Sequence, residues 1–342
     1  MQRTARLGVA GHVLDFDDTY TPGLSHITAP TAPAAVVVGV HVGGSVGQVL
    51  AAYAAGFEAM AALAKAGHPT LYERGWHPTA VTGTVGAATA AAHLLRLDDS
   101  QTVNAQLLAI LGAGGLRTAF GTDGKSLQVG MAAAQGVNAA LLAANGAATS
   151  TNVRRGYESA YGAPWAEPVP SDLAIEENWI KAFPCCLQTH SSIEAAIQAS
   201  ASGSVDPIDG GTVMVHPRSR QAAPLDDVTT GLEAKFSIPY TTAFALLYGA
   251  PNVEDFAGVD GAARKLASKV TVRLDDQLDE SAAVFSWESD SIEVDAARGS
   301  PQHPMTAEQL EAKVRQLSGD RLIGSLDEPD RPISDVLDLI VG

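Results

Sequence analysis

Apolar side chains recur at helical spacing through most of the first half of the chain. In Val46–Gly67, Leu50, Tyr53, Phe57 and Leu63 fall at helical spacings, with small residues between them. Thr79–Leu97 and Ser100–Leu111 predict two more helices. Asp98, Asp99 and Ser100 supply a cap and negative charge at the start of the second. Ser126–Ala147 predicts a fourth, in which Gly130 and Gly136 point to close helix–helix approach. Neither strand–helix alternation nor a glycine-rich phosphate loop occurs in this half.

The pattern changes after about Gly146. Ser150–Pro170 reads as a long irregular connection, and Ser191–Ala201 as a short helix. Thr212–His216, Lys269–Arg273, Ala283–Trp287 and Ser291–Val294 carry the β-branched or alternating pattern of strands. Thr229–Tyr248 reads as an apolar helix interrupted by Pro239, and Thr306–Leu317 and Ser334–Ile340 as closing helices. The expected fold is mainly α with a smaller α+β domain. The helical domain spans residues 1–180, with 305–342 expected to return to it, and the α+β domain spans 181–304.

Composition narrows the function. Among 342 residues, 22 basic and 38 acidic side chains leave a formal charge of −16. That balance lacks the basic footprint of nucleic-acid or anionic-membrane binding, yet leaves room for a local basic pocket that takes a small anion. Cys185 and Cys186 are adjacent, too few for a disulfide framework, an iron–sulfur cluster or a structural zinc. The apolar runs Ala34–Val42 and Ala132–Ala148 read as too short or too interrupted for a bilayer span, and no secretory signal is evident. The expectation is a soluble, cytoplasmic protein.

Ionisable and hydroxyl groups are densest in Gly11–Pro30, which holds Asp15, Asp17, Asp18, Thr19, Tyr20, Ser25, His26 and Thr28. Taken alone, the D-x-D-x-T of Asp15, Asp17 and Thr19 resembles the first motif of haloacid-dehalogenase-like, magnesium-dependent phosphotransferases. That motif must end a strand of a Rossmann-like sheet, and the helical half that follows does not offer one. Asp17 and Asp18 then read as turn or cap residues.

Six ordered blocks give a broader match. They are HVLDFDDT…SHITAP, RGWHPTAVTGTVGAA, FGTDGKSLQVGMAA, KAFPCCLQTH, EAKFSIPY and RGSPQHPMT. Together they resemble the MmgE/PrpD family, which includes 2-methylcitrate dehydratase, cis-aconitate decarboxylase and iminodisuccinate epimerase. The resemblance implies a large all-helical domain plus an α+β lid domain, usually in a homodimer, and a cofactor-independent, metal-free lyase acting on a small di- or tricarboxylate. Loss of water after proton abstraction next to a carboxylate is the leading expectation. Decarboxylation, epimerisation and a non-catalytic short homologue are the alternatives.

By position, the resemblance puts Asp15, Thr19, His26, His77, Lys125, Lys181 and Tyr240 around the substrate. His77 is the expected principal acid/base, with His26 as its partner. Lys125 and Lys181 would neutralise carboxylates, Asp15 would orient a histidine or lysine, and Thr19 and Tyr240 would donate hydrogen bonds. His12 and His190 lie inside matched blocks and rank second, with His190 grouped among the substrate-binding residues. Each has an ordinary alternative: a packed histidine, a solvated lysine, a core tyrosine. His41, His68, His93, His216 and His303 read as ordinary structure.

Three departures stand out. Cys186 replaces a histidine of the decarboxylase-like members. Gln128 stands where many members have a histidine, removing one candidate acid/base. The resemblance also begins almost at Met1, where members usually have a further N-terminal helical segment. The expectation is a natural short form, a form completed by its partner, or a truncated start.

Overall fold

The computed structural model describes residues 2–171, 173–203 and 210–341. The chain divides into two compact units. The first comprises residues 1–13, 17–179 and 305–342; the second comprises 14–16 and 180–304.

The first unit runs α1 (Gln2–His12), β1 (Asp18–Tyr20), α2 (Thr28–His41), α3 (Val46–Gly67), α4 (Thr70–Glu73), α5 (Pro78–Leu94), α6 (Asp99–Leu111), α7 (Gly124–Ala144) and α8 (Val153–Tyr161). β2 (Asn178–Ile180) pairs with β1. Local chemistry fixes several boundaries. Ser45 with Gln48 and Asp98 with Gln101 form reciprocal capping boxes that start α3 and α6, satisfying amide donors the helices leave over. Pro78 enters α5 in its first turn, where no N–H is required.

α5 is the axis of this unit and is buried on nearly all sides, because its residues are mostly alanine, glycine, threonine and valine. Small side chains let neighbouring backbones come close, so packing is dense without large groups. At Gly136 of α7 an added Cβ would lie 2.5 Å from the Thr84 carbonyl oxygen of α5. At Gly130 it would lie 2.4 Å from the Ala5 carbonyl oxygen of α1, so both glycines serve the close approach that the sequence suggested. α3 and α7 meet the length and apolarity of a bilayer span, α7 although the run Ala132–Ala148 within and after it read as interrupted, but half of each apolar stretch is buried inside the unit.

The second unit begins with the 14–16 segment and continues through α9 (His190–Ser202), β3 (Gly211–Val215), α10 (Pro217–Ala222), α11 (Gly231–Ala234), α12 (Ile238–Tyr248), α13 (Gly261–Ala267), β4 (Val270–Leu274), β5 (Ala283–Trp287) and β6 (Asp290–Val294). The sheet order is β4-β3-β5-β6, with β3 and β4 parallel and the other pairs antiparallel. Val213 faces Phe285 across β3 and β5, and Phe285 faces Ile292 across β5 and β6. Alternate residues Ala283, Phe285 and Trp287 turn into a core shared with Ile193 of α9 and Phe244 of α12. The chain then returns to the first unit as α14 (Ala307–Ser318) and α15 (Ile333–Val341). There Ile333 and Val336 join the core of α2 and α3, and the Gly47 and Val46 amides donate to the Pro329 and Arg331 carbonyls. The protein is therefore mainly α with a smaller α+β unit.

Two elements depart from the pattern-based expectation. The 150–170 connection contains α8, whose buried Tyr157 packs against Tyr161 and Trp165; aromatics that read as irregular form the packing face of a short helix. The expected 229–248 helix is two helices, because Ser237 caps a fresh start at α12 and Pro239 sits in that helix's first turn.

Candidate active site

The first unit gathers three histidines. His12 is the last residue of α1, where the chain leaves the helix and turns into β1. Asp18 accepts the Thr28 amide through both carboxylate oxygens, at 3.1 and 3.2 Å, and so anchors the first turn of α2. The His26 amide donates to Thr79 Oγ1 at 3.0 Å, tying the residue before α2 to the first turn of α5. His77 itself is the residue from which α5 starts. Three chain turns thus deliver three imidazoles to one place.

Asp17 is the hub of the arrangement. Its Oδ2 lies 2.6 Å from His12 Nδ1 and 3.7 Å from His26 Nδ1. His26 Nδ1 donates to the Asp18 carbonyl at 2.7 Å, with Thr19 Oγ1 at 3.4 Å. The His12 ring lies 4.7 Å from that of His26 and stacks at 6.0 Å on that of His77. Phe120 stands edge-on to His77 at 4.9 Å, and Lys125 Nζ lies 5.8 Å from the Phe120 ring. Gln128 Nε2 reaches His77 Nδ1 at 2.6 Å. His12 and His77 are each 1% exposed and Lys125 6%.

Burial, then the positive charges of His12 and Lys125, holds the His77 pKa well below its ordinary value, with Asp17 opposing. His77 is therefore neutral, and its buried Nε2 has no hydrogen-bond partner among the described residues. Burial first, and the Asp17 charge second, pushes the Asp18 carboxyl up to about 6 against the Thr28 hydrogen bonds. Such an array can move a proton: it contains a carboxylate, stacked imidazoles of adjustable charge and a buried ammonium. His12, Asp17 and His26 also bring three potential ligand atoms within 4.8 Å of one another, a spacing that a divalent ion could bridge. The His12 and His26 Nδ1 atoms are, however, engaged with Asp17 and the Asp18 carbonyl, which is the geometry of a proton network.

The remaining expected site residues lie in the second unit. Asp15 has a left-handed backbone with φ +53°. Fully buried Lys181 donates to the Asp15 carbonyl at 3.1 Å; Lys235 donates to the Leu14 carbonyl at 2.7 Å and stands 3.8 Å from Asp15 Oδ2. Asp15 is thus ion-paired with Lys235 within the second unit. His190 is buried and stands edge-on to Phe183 at 5.0 Å. The buried Tyr240 hydroxyl accepts the Asp260 amide at 2.9 Å, which gives it a structural bond inside its own unit. Burial pushes the Cys185 thiol up to about 12, so it stays protonated and packs against Thr189, at 3.1 Å.

Thr19, His26, His77 and Lys125 are thus brought together in the first unit, while Asp15, Lys181, His190 and Tyr240 belong to the second. Neither Lys125 nor Lys181 is a solvated surface charge. Asp18 binds the first amide of α2 from ten residues away rather than as the residue that caps it, whereas Asp17 is the carboxylate that faces the histidines. Sequence reasoning also passed over Lys235, although it lies in a matched block, and treated Gln128 only as a missing histidine. The phosphotransferase reading fails. Its Asp15 and Asp17 fall in different units, and the neighbouring β1 belongs to a two-stranded sheet.

Comparison with known proteins agrees with this architecture. Residues 4–163 match the MmgE/PrpD N-terminal domain and residues 183–339 the MmgE/PrpD C-terminal domain. Human cis-aconitate decarboxylase is 30% identical over 204 residues, covering 55% of this chain and 42% of the human protein. Mouse cis-aconitate decarboxylase is 29% identical over 204 residues, covering 55% of this chain and 41% of its own length. The chain aligns with about two fifths of each relative's length.

Proposed function

The chain belongs to the MmgE/PrpD family, and from that premise we propose that it is a lyase acting next to a carboxylate of a small di- or tricarboxylate. The observation that carries the reading is the His12–Asp17–His26–His77 cluster, in which His12 and His77 are buried and Asp17 and His26 partly so, with Lys125 near it. Deprotonating a carbon next to a carboxylate puts negative charge on the carboxylate oxygens. A cluster that accepts the proton and donates hydrogen bonds lowers that barrier. Lys125 supplies the charge that holds the anionic substrate, which suits a local basic group in a protein of formal charge −16.

Loss of water is the simplest outcome: the proton leaves carbon, its bonding pair forms the double bond, and hydroxide departs with a proton returned by the cluster. Decarboxylation is the second reading, supported by the similarity to the human and mouse cis-aconitate decarboxylases. There the bond to the departing carboxyl group breaks and the cluster returns a proton to carbon. Cys186, in place of the histidine of decarboxylase-like members, is buried, with its thiol donating to Gln188 Oε1 at 3.2 Å, which sets this chain apart from those members.

The test is incubation of the pure protein with 2-methylcitrate, citrate, cis-aconitate and iminodisuccinate in deuterated water, followed by mass spectrometry. A mass loss of water identifies dehydration, loss of carbon dioxide with one deuterium gained identifies decarboxylation, and deuterium exchange at constant connectivity identifies epimerisation. No turnover and no exchange with any of the four would overturn the proposal.

A further inference from the structure

Residues Trp76 and Leu116 form an isolated antiparallel bridge, in which the His77 amide donates to Gly115 at 3.0 Å and the Arg117 amide to Gly75 at 2.9 Å. In this type of pair the N–H and C=O of the facing residues point away from the partner strand. The outward groups of Leu116 are taken by the side-chain amide of Gln128. Its Oε1 accepts the Leu116 N–H at 2.8 Å, and its Nε2 donates to the Leu116 carbonyl at 3.2 Å. A peptide N–H can only donate and a carbonyl can only accept, so the oxygen and nitrogen of Gln128 cannot be exchanged.

This grip decides a proton position elsewhere. Gln128 Nε2 also faces His77 Nδ1 at 2.6 Å, so Nδ1 must be an acceptor. A neutral imidazole that accepts at Nδ1 carries its hydrogen on Nε2, the atom that has no partner among the described residues. His26 has the opposite constraint. Its Nδ1 lies 2.7 Å from the Asp18 carbonyl, which can only accept, so a hydrogen sits on Nδ1 and the neutral form of the ring has its lone pair on Nε2.

We propose that Gln128 is a positioning residue that locks His77 as an Nε2–H donor and leaves His26 as the base of the pair. The inference rests on the lyase reading above and assigns roles within it. His26 Nε2 takes the proton from the carbon next to the carboxylate. The C–H electron pair moves onto that carboxylate as an enediolate, whose oxygen accepts the His77 Nε2–H hydrogen bond without proton transfer. The imidazolium formed at His26 is stabilised by Asp17, 3.7 Å from its Nδ1. On collapse of the enediolate, hydroxide leaves with the proton from His26, so water is released and both histidines return to their starting forms. His77 thereby becomes an electrophilic hydrogen-bond donor, which a neutral ring can be and a charged one need not be. The low pKa of His77 keeps it in that neutral form.

Nitrogen-15 NMR of the histidine rings in the intact, substrate-free protein tests the assignment, with His77→Asn and His26→Asn identifying the signals. The expected spectrum has His77 protonated at Nε2 and bare at Nδ1, and His26 the reverse. Gln128→Glu, which turns the donor into an acceptor, is expected to move the His77 hydrogen to Nδ1. It should lower kcat by about 10²-fold or more with KM changed only a few-fold. Wild-type His77 protonated at Nδ1, or a His77 tautomer unaltered in Gln128→Glu, would overturn the inference. Because the wild-type spectrum is recorded without substrate, the tautomer is read independently of turnover. Failure of the four-substrate panel would instead remove the lyase reading.

Discussion

The first unit gathers three histidines around Asp17, with the buried Lys125 nearby, whereas the second sets two lysines against the main chain around Asp15. Around Asp17, His12 and His26 sit within hydrogen-bond or ion-pair reach of one carboxylate, with His77 stacked behind. Around Asp15, Lys181 and Lys235 donate to consecutive main-chain carbonyls, those of Asp15 and Leu14. The two carboxylates are two residues apart in the chain yet do different work. Rings that change charge near neutrality can pass a proton on, whereas an ammonium that donates to backbone carbonyls fixes a segment in place. The left-handed Asp15 receives Lys181 at its carbonyl and Lys235 at its carboxylate. Burial alone therefore does not tell a group suited to proton transfer from one suited to holding the backbone; the partner does.

The comparison makes distinct demands on turnover and stability. Asp17→Asn and His26→Ala should each lower kcat about 10²–10⁴-fold while leaving the urea midpoint close to wild type, as steady-state assays and denaturation on the same samples would show. A midpoint that collapses with activity intact in refolded protein would place this cluster with the structural one. Lys181→Met should behave the other way, lowering stability by about 1.5–3 kcal/mol in urea unfolding because the Asp15 carbonyl loses a charged donor inside the protein. A variant of normal stability that has lost substrate affinity would make Lys181 a substrate ligand instead.

Asp18 provides a pH test between the two. Its folded pKa, about 6, is above the ordinary 3.8, so between these values the folded state binds more protons than the unfolded state. Stability consequently falls as pH rises through that window, and the penalty is complete above about pH 6. Asn at position 18 keeps an oxygen for the Thr28 amide without the charge. Asp18→Asn should therefore gain about 1–3 kcal/mol over wild type at pH 7.5, and the gain should vanish below pH 4, as thermal melts across pH would record. The smallest effect is expected at Tyr240. Tyr240→Phe removes the acceptor of the Asp260 amide and should cost about 1 kcal/mol with kcat nearly unchanged. A hundredfold loss of kcat would restore Tyr240 to the chemistry.

Much of the fold was legible because it is written locally. Helix α3 matches its hydrophobic pattern at both ends, since Ser45 and Gln48 define its start and the pattern runs to Gly67. Gly130 and Gly136 announced close packing without naming the partner helices. The 150–170 segment was misread because α8 is short and polar, and its buried face consists of a single tyrosine with aromatic neighbours. Likewise Ser237 is a cap whose effect depends on a serine hydroxyl meeting the Tyr240 amide, so an apolar run that reads as one helix becomes two.

For the site, sequence specified the kinds of group available and the segment that concentrates them. Side-chain chemistry alone left His26, His77 and Lys125 open to ordinary structural readings, and it was the resemblance of the ordered blocks that singled them out. Which of them pair was decided only in three dimensions. Asp17 meets His12 across a turn five residues long, and Gln128 meets His77 across 51 residues of chain. Glutamine has no titratable proton to attract notice in a sequence. Its influence comes entirely from being oriented by the Leu116 backbone and directed at one nitrogen of a ring. Spacing along a chain encodes helices because their hydrogen bonds are local, whereas the tautomer of a buried histidine follows from distant donors and acceptors that only the folded chain brings to it.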